Sequence, residues 1–153
     1  MMAVAVIDTN VVLDWLVFRD PSVRALVEAI DRGSMRWIAT DAMRNELQHV
    51  MQRHQGSEKW SFDPGQAIEA WQRWAHVVPA PPPSPRARRL RCTDPDDQKF
   101  IDLAVAQPGG CWVFSRDRAV LKLARAAKPF GVQVLTAARW AEAQAPGGTP
   151  PSR

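Results

Sequence analysis

The apolar and polar positions of this 153-residue chain fall into short apolar runs alternating with longer stretches of helical spacing. Val4–Ile7 is a continuous apolar run short enough for a buried strand, and Val11–Phe18 continues as a helix that Asp20-Pro21 ends. Val23, Leu26, Val27 and Ile30 recur at helical spacing through Ser22–Arg32, and Gly33 is a natural stop. Arg36–Ala39 predicts a second strand. Thr40 then stands as the cap of a long helix to about His54, with Met43, Leu47, Val50 and Met51 on one face. Ser61-Phe62-Asp63-Pro64 opens a helix over Gly65–Ala75 with proline near its first turn, and His76–Val78 predicts a third strand.

Beyond this point proline and arginine take over. Pro79–Arg91 reads as a stiff, exposed connector within one domain. Asp94-Pro95 starts a helix to about Ala106, Cys111–Phe114 is a strand, and Asp117–Ala127 a helix. Val132–Leu135 is the last strand and Thr136–Gln144 the last helix. The proline- and glycine-rich tail, residues 145–153, is expected to be disordered. Gly109-Gly110 predicts a turn, and no internal repeat is seen. Strands alternating with helices predict an α/β fold for residues 1–144: a three-layer sandwich with a central, mostly parallel sheet and helices on both faces. In such sheets the functional crevice lies beyond the carboxyl ends of the strands.

Composition narrows the setting. At 46% hydrophobic residues the chain can build an ordinary core. No run approaches the roughly 18 apolar residues of a membrane span, and no secretory leader is expected, so a cytoplasmic location follows. Cys92 and Cys111 have no metal-type spacing and predict buried small hydrophobes in a reducing compartment. The net charge is +4, and sixteen of the twenty basic residues are arginine. Arginine favours planar, bidentate contacts with phosphate or carboxylate, which agrees with a polyanionic partner.

The acids supply the chemistry. Asp8 ends the first strand, and a carboxylate there is costly to desolvate unless something pairs with it. Thr40 and Asp41 follow the second strand, with Glu46 about one and a half turns further on. Asp94, Asp96 and Asp97 open the fifth helix, and Ser115-Arg116-Asp117 follows the Cys111–Phe114 strand. Each has an ordinary reading too. Asp94 before Pro95 suits an N-cap, Asp97 suits the helix dipole, Asp117 suits a cap, and Glu46 suits a solvated face. Asp14, Asp41 and Asp102 are assigned such ordinary roles. Capping does not account for an acid at the end of the first strand. Converging carboxylates without His or Cys point to a hard cation, Mg²⁺ or Mn²⁺, of the kind used in phosphoryl chemistry. His49, His54 and His76 form no ligand spacing, and the chain has no Gly-rich phosphate loop, nucleophile elbow or CxxC pair.

With these pieces in order the chain resembles the PIN-domain nucleases, the fold of many VapC-like toxins of prokaryotic toxin–antitoxin systems. The matching stretches are VIDTNVVLD, TDAMRNELQHVMQR, TDPDDQKFIDLAVA and CWVFSRDRAVLKL, followed by VQVLTAARW. They cover nearly all of the chain before the tail. The resemblance implies that Asp8, Glu46, Asp97 and Asp117 are the catalytic, metal-holding acids. Asp97 is preferred over Asp96 because Asp97-Gln98-Lys99-Phe100 has the family's spacing. Thr9, Asn10 and Ser115 match the small polar positions that orient carboxylates, while Asp94 and Asp96 would assist through water. Family toxins often carry threonine or glycine where Arg116 stands.

The resulting expectation is a Mg²⁺- or Mn²⁺-dependent endoribonuclease, the toxin of a toxin–antitoxin pair, with RNA as substrate, a cognate antitoxin as partner and a homodimeric assembly. Arg44, Arg86, Arg88, Arg89, Arg91 and Arg116 are the candidate RNA contacts. Two rivals share the fold: a housekeeping RNA- or DNA-processing nuclease, and a nucleic-acid-binding PIN domain with little turnover, against which the intact acids count. A haloacid-dehalogenase-type phosphatase fits poorly because Asp8-Thr9-Asn10 lacks the second aspartate two residues on. A phospho-receiver domain would want a lysine just beyond the late strand, and Lys122 and Lys128 are not there.

Overall fold

The architecture is that of a computed structural model, which describes residues 2–145. Five strands, β1 (Ala3–Ile7), β2 (Met35–Ala39), β3 (His76–Val77), β4 (Cys111–Phe114) and β5 (Val132–Leu135), form one sheet in the order β3-β2-β1-β4-β5. Every neighbouring pair is parallel, so the sheet expected to be mostly parallel is wholly so. Its central register sets Ile7 beside Phe114, and the residues just past both strands therefore meet at one edge.

Among the described residues seven α-helices connect the strands and an eighth follows the last: α1 (Thr9–Leu16), α2 (Arg24–Asp31), α3 (Asp41–Arg53), α4 (Pro64–Trp74), α5 (Gln98–Val105), α6 (Arg118–Leu121), α7 (Ala124–Ala127) and α8 (Ala137–Gln144). The chain leaves β1 toward β2 on one side and returns to β4 on the other, which makes the β1/β4 junction the topological switch point of the sheet. α2 packs on β2, α5 on β1 and β4, and α7 on β5, while α1, α3 and α4 pack on one another. Buried Val6, Phe100, Ile101 and Val113 fill the layer between α5 and the sheet, while Phe114, next along β4, turns to the opposite face and meets Trp140 at 5.9 Å. On the other side Trp37 meets Trp15 at 5.3 Å and Trp71 at 6.0 Å between ring centroids.

Local chemistry explains the helix starts. Asp63 Oδ1 accepts the Gly65 N–H at 2.8 Å with Pro64 at the first position of α4, and Thr136 Oγ1 accepts the Arg139 N–H at 3.1 Å ahead of α8. Thr40 stands at the cap position of α3 in extended conformation, but its side chain makes no capping bond. The helix expected to run over Asp117–Ala127 is two short ones, interrupted at Lys122-Leu123. The helix expected from Asp94 opens as a 3₁₀ turn over Pro95–Asp97 before α5.

The Pro79–Arg91 stretch is largely the exposed connector that its composition suggests, but it is anchored near its end. Leu90 is completely buried, Ala87 is buried, and Ala87–Arg89 forms a 3₁₀ turn. The cause is Gln98, a buried side chain whose Nε2 donates to Leu90 O at 2.8 Å and whose Oε1 accepts the Cys92 N–H at 2.6 Å. One amide thus ties the connector to α5 and sets the path of the chain into Asp94. Both cysteines are buried and free. Gly110 closes the turn before β4 at φ +89°, in the left-handed region open to glycine. Residues 145–153, expected to be disordered, lie outside the described residues from 146 onward.

Candidate metal centre

Because β1 and β4 end side by side, Asp8 emerges next to Ser115. Asp8 is 3% exposed and occupies the cap position of α1, yet its side chain makes no capping bond. Its Oδ2 instead accepts the Ser115 hydroxyl at 2.6 Å, across more than a hundred residues of chain. Ser115 is itself wholly buried, and its Oγ also accepts the Asp117 N–H at 3.0 Å. One hydroxyl therefore links the acid after β1 to the acid after β4.

Asp117 caps α6 by accepting the Ala119 N–H at 2.8 Å, and Asp94 caps the Pro95–Asp97 turn by accepting the Asp96 N–H at 3.0 Å. The ordinary capping readings of these two residues are thus real, and each has a second carboxylate oxygen to offer. Asp97 makes no capping bond; it is buried, and its Oδ2 has no hydrogen-bond partner at all. Asp94, Asp97 and Asp117 each bring one carboxylate oxygen to within 4.8 Å of the others.

Such crowding of acids carries an electrostatic cost. Asp97 is pushed up to about 7 from an ordinary value of 3.8, first by burial, then by the charge of Asp8, by the Asp117 carboxylate both as an acceptor for the protonated form and as a charge, and by the charge of Asp94. Asp8 is pushed up to about 6, chiefly by burial and further by the charges of Glu46 and Asp117; the Ser115 hydroxyl opposes that rise. Asp94, Asp97 and Asp117 thus cluster at the switch point, with Asp8 near enough for its charge to act on Asp97.

Glu46 sits at the margin of this cluster with both oxygens engaged: Thr9 Oγ1 donates to one and Lys99 Nζ to the other. Lys99 also donates to the Asp96 backbone carbonyl, so it bridges α3 and the acidic turn. The Asp96 side chain points to solvent. Asn10 Oδ1 accepts the Arg116 N–H at 3.4 Å and touches no carboxylate.

The arginines divide. Arg86, Arg88, Arg89 and Arg91 are exposed, and Arg91 lies just ahead of Cys92–Asp94. Arg44 keeps a buried Nε without a partner. Arg116, grouped with the candidate RNA contacts by sequence, is engaged elsewhere. It forms a bidentate pair with the buried carboxylate of Asp14, Nε to Oδ2 at 2.6 Å and Nη2 to Oδ1 at 3.0 Å. Sequence reasoning gave Asp14 an ordinary role and overlooked Lys99 and Gln98. The available signal was slight: an acid on the inner face of an apolar helix, and a lysine two residues past an acid.

The donor set tests which ion suits this cluster. It contains only carboxylate oxygens, one of them buried with no donor to satisfy it. Carboxylates without His or Cys suit a small, hard divalent cation. A parallel α/β sheet with a crowded acidic cluster at its switch point is the class that this fold and site define.

The particular family follows from sequence. The profile of the PIN domain matches residues 4–128, and the chain belongs to that family. Among solved structures the fold is similar to a chain of the VapBC2 complex from Rickettsia felis bound to a DNA fragment from their promoter. The TM-score is 0.58 at 9% sequence identity, over 87% of this chain and 98% of that one. No curated protein matches.

Proposed function

We propose that this PIN domain is a metal-dependent endoribonuclease that hydrolyses phosphodiester bonds in RNA. The observation that carries the reading is the convergence of Asp94, Asp97 and Asp117, with an unpartnered buried oxygen on Asp97. Asp8, Asp97 and Asp117, with Asp94, would hold Mg²⁺ or Mn²⁺. When bound, such an ion supplies an activated water and neutralises charge on the phosphate. The remaining work falls to the chain. Ser115 fixes the Asp8 carboxylate, and Thr9 and Lys99 fix Glu46, which is assigned to orient the attacking water at the rim of the site. Arg86, Arg88, Arg89 and Arg91 hold the RNA backbone.

The VapBC2 likeness supports a toxin role, in which a cognate antitoxin binds the chain and the working form is a cytoplasmic homodimer. The test is cleavage of a labelled single-stranded RNA pool by the purified protein with Mn²⁺, Mg²⁺ or EDTA. Cleavage is expected with either metal and lost in EDTA and in Asp8→Asn. Cleavage that persists in EDTA, or in that variant, would falsify the mechanism.

A further inference from the structure

Among the described residues β5 ends the sheet, with β4 on one side and no strand on the other. The Cys111 N–H donates to Gly131 O and the Ser115 N–H to Leu135 O. Gly131, Gln133 and Leu135 therefore face β4, and the alternation of a parallel ladder turns the N–H and C=O of Val134 outward. Among the described residues no backbone hydrogen bond from beyond the ladder reaches Val134.

A groove of about 720 Å³ opens at the second half of this edge, where Val134 lines it; Val132, which also turns outward, is fully buried. Leu121 and Leu135 contribute apolar surface, while Arg125, Lys128 and Arg139 are its charged members, with no acid among the lining residues. The ion pairs among the described residues are Lys99–Glu46 and Arg116–Asp14, so these three cations have no acidic partner. None of the acids of the metal centre lines the groove.

We infer that the β5 edge is a docking groove for an extended acidic peptide of a partner protein, which pairs its backbone with Val134 and sets carboxylates against Arg125, Lys128 and Arg139. Edge-strand addition supplies affinity through main-chain hydrogen bonds and specificity through alternate side chains. Successive side chains of an added strand point to opposite faces, which matches cations flanking an apolar wall. The charge favours an acidic guest. A second copy of this chain would bring the same three cations against their counterparts. A phosphodiester backbone would present acceptors to the Val134 carbonyl, where a peptide presents an N–H.

This inference is independent of the nuclease reading, and its test does not measure cleavage. The full chain is titrated against an end-blocked, fluorescein-labelled nonapeptide of alternating glutamate and valine, read by anisotropy. Saturable binding is expected, weakened at least tenfold by Arg125→Glu/Arg139→Glu. It should weaken similarly for a peptide with lysine in place of glutamate and for one N-methylated at alternate amides. Amide exchange at Val134 should slow when the peptide binds. No saturable binding, or equal affinity for the N-methylated peptide, overturns the inference. Displacement of the peptide by an RNA oligonucleotide that itself loses affinity in the double variant would assign the groove to nucleic acid instead. A free protein that sediments as a dimer with Val134 already protected would assign it to a second copy.

Discussion

At Asp97 burial and neighbouring charge act in the same direction, and both favour the protonated acid. The sign of the linkage follows. The folded state raises this carboxyl from 3.8 to about 7 and Asp8 to about 6, so between those values it binds more protons than the unfolded chain. The metal-free protein should therefore lose stability as pH rises from about 4 through 7. Thermal melts in EDTA at pH 5 and pH 8 should show the higher Tm at pH 5, with a smaller difference in Asp97→Asn. Equal slopes for the two proteins would contradict the crowded-site account. Arg116 makes a different prediction. Arg116→Ala leaves the buried Asp14 carboxylate without its partner, a loss worth about 1–3 kcal/mol, and Asp14→Asn in the same chain should recover part of it. Urea unfolding of the three variants measures this. An Arg116 whose sole role was to touch RNA would leave stability unchanged.

At the scale of elements, the connector and α5 act as one piece. Gln98 holds Leu90 and Cys92, so the arginines at 86, 88, 89 and 91 stand on a tethered turn. If they hold RNA through its phosphates, replacing Arg88 and Arg91 with alanine should weaken binding alike across RNA sequences. The salt dependence should flatten by about 0.7 per lost contact on a single strand. An unchanged slope would make the run an ordinary solvated surface. The break at Lys122-Leu123 is the other element-scale departure. Splitting the predicted helix places α7 against β5, and Arg125 comes to line the groove on that edge.

For the whole molecule, the acids come from segments far apart in sequence, so a cation shared among them stabilises the fold as a unit. Binding to the folded state alone is worth about 2.7 kcal/mol at one hundred times the dissociation constant. Mn²⁺ should thus raise the Tm, more at pH 8 than at pH 5, because deprotonated carboxylates are the ligands. Asp97→Asn and Asp117→Asn should each shrink that gain. A full metal response in both variants would leave these two acids as a dipole acid and a cap.

Much of this protein was legible in the chain itself. Apolar runs of four or five residues set between helical stretches mark β1 and β4, because a strand buried on both faces needs no alternation. Asp63-Pro64 and Asp94-Pro95 mark their turns, because a cap and a fixed φ act within a few residues. Even the importance of Asp8 could be read, since a carboxylate ending an apolar run demands a partner. Which partner it has could not. Ser115 on Asp8, Lys99 beside Glu46 and Arg116 on Asp14 are contacts across dozens of residues, and local pattern carries no distance of that kind; Gln98 reaches back only six to eight residues, but through an irregular turn that no periodicity marks. The composition of Pro79–Arg91 suggested exposure, but one buried amide decided the fate of Leu90. The sequence by itself determined the elements, their order and the acids at the strand ends. Tertiary structure decided which acids meet and which arginine is spent on an ion pair, because strand order and register alone bring the ends of β1 and β4 together.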